Sequence, residues 1–208
     1  AGALGLFAAA GLSWAVLEAG LGARYDATSA VRPDAVVLTN VSIDHIEHLG
    51  ETVEEIAEEK LASLKPGATL FLGTGESQVV ELAHSACRRV GARLVLPGEA
   101  GENGSFSGLA PYEADDVRLG ISVAESLLER SLPAEVERTV ALAVGEALPG
   151  RFEVHEVEGV PVVIDGGHNS AGLSAGLAGM HALYGERPVG VVFGVLREKD
   201  AASMRAGL

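Results

Sequence analysis

Short apolar runs alternate with longer amphipathic stretches along the first half of the chain. Four runs are aliphatic or β-branched and lead into polar or glycine-rich turns, which predicts buried strands over 14–17, 35–39, 69–72 and 93–96. Helical periodicity between the later runs predicts helices over 52–64 and 76–90. Alternation of strand and helix indicates a parallel sheet with helices on its faces.

The second half of the chain continues with helical patterns and then starts a new cycle of strand and helix. A stretch rich in glycine, proline and serine over 97–111 predicts a loop. The sequence LPGR at 148–151 predicts a boundary between a domain of residues 1–148 and one of residues 149–208. The other expected elements are helices over 114–130 and 134–147, a strand over 160–164, a helix over 170–183, a strand over 189–193 and a helix that starts near 199.

The first 17 residues carry no charge, which raises the question of a membrane segment. The stretch contains several glycines and runs straight into Glu18, so it is short for a membrane span. It also lacks the basic start of a signal peptide. We therefore expect a buried helix followed by a buried strand, and no membrane partner.

Charge and cysteine content limit the classes of partner. The 208 residues include 29 acidic and 15 basic side chains, which gives a formal net charge of −14. A long basic face for nucleic acid is therefore not expected, although a small basic pocket stays open. The single cysteine, Cys87, excludes an internal disulfide and any multi-cysteine metal site, and it is compatible with a reducing cytoplasm.

Polar side chains follow three of the expected strands. The first strand leads into Glu18, the second into Asn40 and the run VSIDHIEHLG, and the strand of the second cycle into Asp165 and GGHN. Open parallel sheets bind ligands at the carboxyl ends of their strands. We therefore expect these acid, amide and imidazole groups to contribute to one site, although each turn alone is compatible with an ordinary polar loop.

The segment DGGHNSAG at 165–172 has the pattern of an anion site. Ser170 or Asn169 can cap the helix that follows, and a helix N-terminus after a strand attracts anions. Arg151, after the Pro-Gly of the domain boundary, could reach a phosphate there. The alternative is a plain turn between strand and helix.

Lys60 is the sharpest anomaly in the pattern. Thr52 and Glu55 form a capping box that starts a helix, and Lys60 falls on its apolar face between Ile56 and Leu64. A buried amine is costly unless it is paired, neutral or modified. The alternative is a packed aliphatic stem with the amine in water.

His45 and His48 have a spacing that can place two metal ligands on one helical face. No further His or Cys completes a zinc set nearby, so a hard cation held by one His, one Glu and phosphate oxygens fits better. The GLGA run at 20–23 lacks the third glycine of a dinucleotide-binding fingerprint, so an NAD-binding protein is a remote alternative.

Several segments resemble one family in order along most of the chain. LEAGLGARYDATSAV at 17–31 is similar to the Glu-Val-Gly-Leu-Gly-Gly-Arg-Leu-Asp-Ala-Thr-Asn signature of folylpolyglutamate synthases and dihydrofolate synthases, which belong with the Mur ligases. The segment at 38–67 is similar to the next signature of that family. LPGRFEV at 148–154, DGGHNSAG and VFGVLREKD at 192–200 resemble its C-terminal part.

The resemblance implies an α/β fold with two domains. Residues 1–148 would form a central parallel-sheet ATPase domain of the P-loop type, from which the P-loop itself is absent. Residues 149–208 would begin a Rossmann-like C-terminal ligase domain. The implied protein is a monomer whose two domains close over ATP.

The resemblance also implies an ATP-dependent ligase that adds L-glutamate to dihydropteroate or a reduced folate through an acyl phosphate. Glu18 and His45 would be Mg²⁺ ligands, and a monovalent cation such as K⁺ is a further candidate ion. Lys60, as a carbamylated lysine that supports a magnesium site, and His168 are the implied catalytic residues. Further implied contacts are Arg151, Asp165, Asp116 and Asn169 with ATP, and Tyr25, Asp26 and Ala27 with the pterin substrate.

Some departures from the family pattern keep alternatives open. No G-x-x-x-x-G-K-[ST] occurs, and Asp116 stands where the family has an adenine-contacting asparagine. A Mur-type ligase acting on another acid and a non-catalytic nucleotide-binding remnant are the other two hypotheses. The choice between dihydropteroate and reduced folate as acceptor is open.

Overall fold

The computed structural model describes residues 2–96, 106–196 and 201–206. Its elements in chain order are α1 (Gly2–Ala9), a 3₁₀ turn (Ala27–Ala30), β1 (Ala35–Leu38), α2 (Ile46–Leu49), α3 (Val53–Leu61), β2 (Thr69–Leu72), α4 (Ser77–Val90), β3 (Arg93–Val95), α5 (Pro111–Leu128), α6 (Ala134–Ala147), β4 (Glu153–Val157), β5 (Val160–Ile164), α7 (Ser170–Tyr184) and α8 (Ala201–Ala206).

The parallel sheet predicted from the sequence is confirmed. Its strand order is β1-β2-β3, and both neighbouring pairs are parallel. Helices α3 and α4 cover one face, where Ile56, Leu70 and Val79 are fully buried. Phe71 is buried on the opposite face, and Leu119 of α5 packs against the end of β2 at Gly73. The packed sheet therefore fixes the position of the side chains that follow β1.

The strand predicted over 14–17 is wrong. These residues have no regular secondary structure and pair with no strand among the described residues, and Val16 is 98% exposed. The expected burial of the preceding helix is also wrong, because α1 has no buried residue. An apolar run forms a strand only where a neighbour completes its hydrogen bonds, and the described chain offers none there.

The stretch after the predicted boundary forms a hairpin and a helix. Strands β4 and β5 are antiparallel, and Glu158 and Gly159 between them both have positive φ, as the favoured two-residue hairpin turn requires. Strand β4 was missed because its alternating charged residues hide the strand pattern. The strand predicted over 189–193 is wrong, because that segment has no regular secondary structure and no strand partner in the described structure, and Val192 is fully exposed.

Helix α5 joins the two parts of the chain. It packs against β2, α6 and α7, and it begins at Pro111, three residues before the predicted start. Glu113 causes the earlier start, because its carboxylate accepts the Ala110 N–H at 2.9 Å. Residues 97–105 of the predicted loop lie outside the described residues, and so does the predicted start of a helix near 199. The division at residues 148 and 149 stays a prediction.

No described helix has the length and apolar character needed to cross a membrane.

Candidate functional site

Asp44 joins three of the predicted site residues. One oxygen of its carboxylate accepts the Asn169 side-chain amide at 3.1 Å and lies 3.0 Å from Nε2 of His168. The other oxygen accepts the backbone N–H of His45 at 2.8 Å. The contacts between Asp44 and the 168–169 turn span more than 120 residues of sequence. The structure thus brings His45, His168 and Asn169 together around Asp44. Sequence analysis did not select Asp44 as a site residue, although it directly precedes His45 in the chain.

Local backbone geometry presents these groups. His45 has a left-handed φ of 50° and precedes α2, which turns the chain sharply after β1. Asn169 caps α7, because its side-chain oxygen accepts the Gly172 N–H at 2.8 Å. His168 has its Nδ1 3.0 Å from the Gly166 carbonyl and its Nε2 beside Asp44. Both ring nitrogens of His168 therefore lie within hydrogen-bond distance of an oxygen.

This cluster has the geometry of a cation site. One ligand atom from each of Asp44, His45 and His168 lies within 4.8 Å of the others, and both imidazoles are exposed. The carboxylate suits Mg²⁺, which keeps several water or phosphate oxygens, whereas imidazole nitrogens suit softer divalent ions. Glu18, the other predicted metal ligand, is exposed in the irregular segment after α1 and is not a member of the cluster.

Asp165 forms a second junction at the end of β5. It accepts the Tyr112 hydroxyl at 2.7 Å and the backbone N–H groups of Phe152 at 2.9 Å and Gly167 at 2.7 Å. Burial raises the pKa of Tyr112, and the hydrogen bond to Asp165 adds to this shift. The guanidinium of Arg151 lies against Gly166, where an added Cβ would be 3.1 Å from Nη1. The predicted ATP contacts Arg151 and Asp165 therefore lie side by side.

A cavity of about 470 Å³ opens between α5 and α6 next to this junction. Asp116, another predicted ATP contact, lines it together with Arg151 and Tyr112. Burial raises the pKa of Asp116, with a smaller contribution from the Asp115 charge. The pKa of Glu113, which also lines the cavity, is raised chiefly by burial. Two of the predicted nucleotide contacts, Asp116 and Arg151, therefore line the cavity, and a third, Asp165, binds the hydroxyl of its lining residue Tyr112.

The predicted pterin contacts form one exposed turn. Tyr25 is 90% exposed, and Ala27 starts the 3₁₀ turn with an exposed side chain. Asp26 caps that turn, and the Thr28 hydroxyl and backbone N–H hold the pKa of its carboxyl below the usual value. Gly22 lets this turn approach α2 and α3, because a Cβ there would lie 2.8 Å from Leu49.

Lys60 occupies the last turn of α3 with a partly exposed side chain. Ile56, one turn earlier on the same face, and the adjacent residue Leu61 are both buried. The side chain therefore lies at the edge of the core rather than within it. This position leaves both interpretations of the sequence anomaly open, since a modified amine and an amine that reaches water are both compatible with partial exposure.

Family models match both parts of the chain. The Mur ligase middle domain matches residues 3–78, and the Mur ligase glutamate ligase domain matches residues 150–208. The Dihydrofolate synthase/folylpolyglutamate synthase of Bacillus subtilis is 28% identical over 93% of this chain and 50% of its own length. A probable bifunctional folylpolyglutamate synthase/dihydropteroate synthase of Haloferax volcanii is 33% identical over 99% of this chain and 27% of its own length. The chain thus spans half or less of the length of these curated relatives.

Solved structures agree with this similarity. Escherichia coli FolC in complex with DHPP and ADP is 28% identical, with a TM-score of 0.71 over 92% of this chain and 48% of that one. An FPGS-AMPPCP-folate complex superimposes with a TM-score of 0.79 over 96% of this chain and 54% of that one. At 23% identity, the second match shows a shared fold.

Proposed function

The chain belongs to the folylpolyglutamate synthase and dihydrofolate synthase family of Mur ligases, and from this premise we propose that its protein is an ATP-dependent carboxylate–amine ligase. It adds L-glutamate to dihydropteroate, to a reduced folate or to both. The observation that carries the proposal is the Asp44 junction, which joins the turn after β1 to the turn before α7. Relatives with folate, DHPP and ATP analogues or ADP bound support the substrate class.

The reaction has two steps. The acceptor carboxylate attacks the γ-phosphorus of ATP, ADP leaves, and an acyl phosphate forms. The glutamate amine then attacks the acyl carbon, loses a proton and expels phosphate. Such phosphoryl transfer depends mainly on positioning and on neutralising charge. The chain has a net charge of −14 and its proposed substrates are acidic. The site therefore needs local cations that offset this repulsion.

The described side chains offer these cations and orienting groups. Arg151 contacts the nucleotide phosphates, and Asp165 holds the turn before Gly167 in place. His168, flanked by two acceptors, stands beside the transferred phosphoryl group. Asp44 and His45 would hold Mg²⁺, which would neutralise phosphate charge when bound, and Glu18 would complete this site only if the segment after α1 moved closer.

Lys60 is the candidate for carbamylation. Its amine would attack CO₂, lose a proton and become an anionic carbamate that supports the magnesium site. Partial exposure at the end of α3 leaves the amine accessible for this reaction. Asn169 and Asp116 contact the nucleotide, and Tyr25, Asp26 and Ala27 contact the pterin. We further propose that the protein acts as a monomer in the cytoplasm, where the buried Cys87 stays reduced.

Phosphate release by the protein, as its gene encodes it, tests the proposal. We expect release from ATP that requires both glutamate and one of two acceptors, dihydropteroate or tetrahydrofolate. If a folded protein that binds ATP releases no phosphate with either acceptor, it is a ligase for another carboxylic acid. A folded protein that binds no ATP would be a non-catalytic remnant.

Lys60→Ala tests the carbamate separately. We expect loss of most ligation and partial rescue by short carboxylic acids, which supply the missing anion. Lys65→Ala is the matched control, because Lys65 is also partly buried and its amine contacts the Ala62 carbonyl instead. Unchanged ligation by the Lys60 variant would remove the carbamate from the mechanism.

A further inference from the structure

Glu59 of α3 holds the exposed turn that contains the predicted pterin contacts. One oxygen of its carboxylate accepts the backbone N–H of Arg24 at 3.0 Å, and the other accepts the guanidinium Nε–H of the same residue at 2.8 Å. Both bonds span 35 residues of sequence. Hydrogen bonds to an ionised carboxylate belong to the stronger class. Glu59 therefore binds both backbone and side chain of the residue directly before Tyr25.

The surroundings of this contact exclude much of the water that would weaken it. The Glu59 side chain is 15% exposed, although that of Arg24 is 49% exposed. Gly22 lies against Glu59, since an added Cβ would be 3.0 Å from the oxygen that accepts the Arg24 N–H. Gly22 has a left-handed φ of 61°, and the next residue, Ala23, is buried. The chain at 22–24 is thus shaped to lie on α3.

The other hydrogen bonds of the turn are local. Asp26 accepts the backbone N–H groups of Gly20 and Thr28 and the Thr28 hydroxyl, which gives the turn its shape. Among residues 2–96, 106–196 and 201–206, Glu59 is the one residue outside 20–30 that forms a hydrogen bond with the turn. The hydrogen bonds that place the turn on α3 therefore all end at this carboxylate.

The residue that follows Glu59 in the last turn of α3 is Lys60, the candidate for carbamylation. We propose that Glu59 is a positioning residue for the acceptor, because through Arg24 it fixes the turn at Tyr25, Asp26 and Ala27 relative to Lys60. Glu59 acts through Arg24 rather than on the acceptor itself. This inference rests on the proposed function, since it takes this turn as the contact of the acceptor's pterin ring.

Steady-state kinetics of Glu59→Gln test the positioning role. The amide keeps the size of the side chain but replaces one acceptor oxygen by a group that donates. The KM for the acceptor should rise about tenfold, with kcat and the KM for ATP within about twofold of wild type. A merely structural loss would lower the amount of active protein, and with it kcat, and would leave the KM for the acceptor unchanged.

Glu58→Gln is the matched control for this variant. It removes the same charge from the neighbouring helix position, where the exposed side chain forms no hydrogen bond with the turn in the described structure. All three kinetic constants should stay at their wild-type values. A rise in the KM for the acceptor that is equal in both variants would overturn the specific role of Glu59.

A double-mutant cycle tests whether Glu59 acts through Arg24. Arg24→Gln removes the guanidinium and should raise the KM for the acceptor by a smaller factor than Glu59→Gln, because the backbone N–H remains. The double variant should match Glu59→Gln alone, since both changes remove the same contact. An acceptor KM that rises by the product of the two single effects would overturn the route through Arg24.

Limited digestion with trypsin reports on the turn without any activity. Cleavage after Arg24 requires the turn to leave α3, so it should be about tenfold faster in Glu59→Gln than in wild type. Glu58→Gln should be cleaved at the wild-type rate. Circular dichroism and melting temperature confirm that each variant is folded. Equal rates in Glu59→Gln and wild type would overturn the attachment of the turn by Glu59.

The outcomes separate this inference from the proposed function. Ligation of glutamate by the wild-type protein, with a KM for the acceptor that Glu59→Gln leaves unchanged, overturns the positioning role and leaves the ligase standing. A folded wild-type protein that ligates glutamate to no pterin acceptor overturns the proposed function and the acceptor role with it.

Discussion

Two carboxylates, Asp44 and Asp165, each accept or face three donors, yet their surroundings differ. The Asp165 junction is partly buried, and the ring of its partner Tyr112 packs edge-to-face on Phe152 at 6.3 Å. The Asp44 junction lies among imidazoles whose side chains are about half exposed. The same hydrogen-bonding pattern thus contributes to stability where apolar rings exclude water, and it remains accessible to ligands where the surrounding side chains are exposed.

Packing around the Asp165 junction should give the largest effect on stability. Phe152 is buried, and Gly179 of α7 approaches it so closely that an added Cβ would lie 2.5 Å from its ring. Phe152→Ala should lower the free energy of unfolding by about 3 kcal/mol, because the cavity left there cannot fully collapse. Chemical denaturation measures the change. Val192→Ala, at a fully exposed site, should stay within about 0.5 kcal/mol of wild type.

Removal of one hydroxyl from the same junction should have a smaller effect. Tyr112→Phe keeps the ring packing but takes one of three donors from Asp165, so we expect a loss of about 1 kcal/mol in unfolding free energy. Tyr25→Phe, at an exposed ring, is the matched control. An equal effect of both substitutions would show that the Asp165 junction does not contribute to stability.

Breakage of the Asp44 junction should change stability least and ion binding most. Asp44→Asn is expected to cost less than about 1 kcal/mol of unfolding free energy, because its histidine partners are exposed. It should nevertheless weaken Mn²⁺ binding, followed by electron paramagnetic resonance, since the cluster loses its anionic ligand. Undiminished Mn²⁺ affinity would contradict a cation site at Asp44.

The carboxylate of Glu113, near the Asp165 junction, makes the stability of the fold depend on pH. Burial raises its pKa, so the folded protein holds this proton at pH values where the unfolded chain has released it. Its contribution to stability is complete below the ordinary pKa of 4.5 and is lost as pH rises through the folded pKa.

Glu113→Gln should therefore melt at a higher temperature than wild type at neutral pH and at the same temperature near pH 3.5. The glutamine oxygen can still accept the Ala110 N–H, so the start of α5 is kept. Glu81→Gln, on the exposed face of α4, controls for the loss of a charge. A difference between Glu113→Gln and wild type that does not vary with pH would contradict the role of ionisation.

Local pattern alone determined much of this protein. Apolar runs of strand length and amphipathic stretches located β1, β2, β3 and α4 within a residue or so, and the capping pair Thr52 and Glu55 located the start of α3. The D-G-G-H-N turn was predicted too, with Ser170 or Asn169 as the cap of the following helix, and the structure has Asn169 in that place. These features depend on residues close in sequence, whose preferences act whatever the rest of the chain does.

Tertiary structure decided the features that need a distant partner. The apolar runs at 14–17 and 189–193 form no strand, because a strand forms only beside another strand and the described chain places none there. No local pattern distinguishes Asp44 from its acidic neighbours; it acquires its role when folding brings the turn at His168 within 3.0 Å. The sequence predicted most of the groups in the site, and the packing of α5 against α7 decided which of them meet.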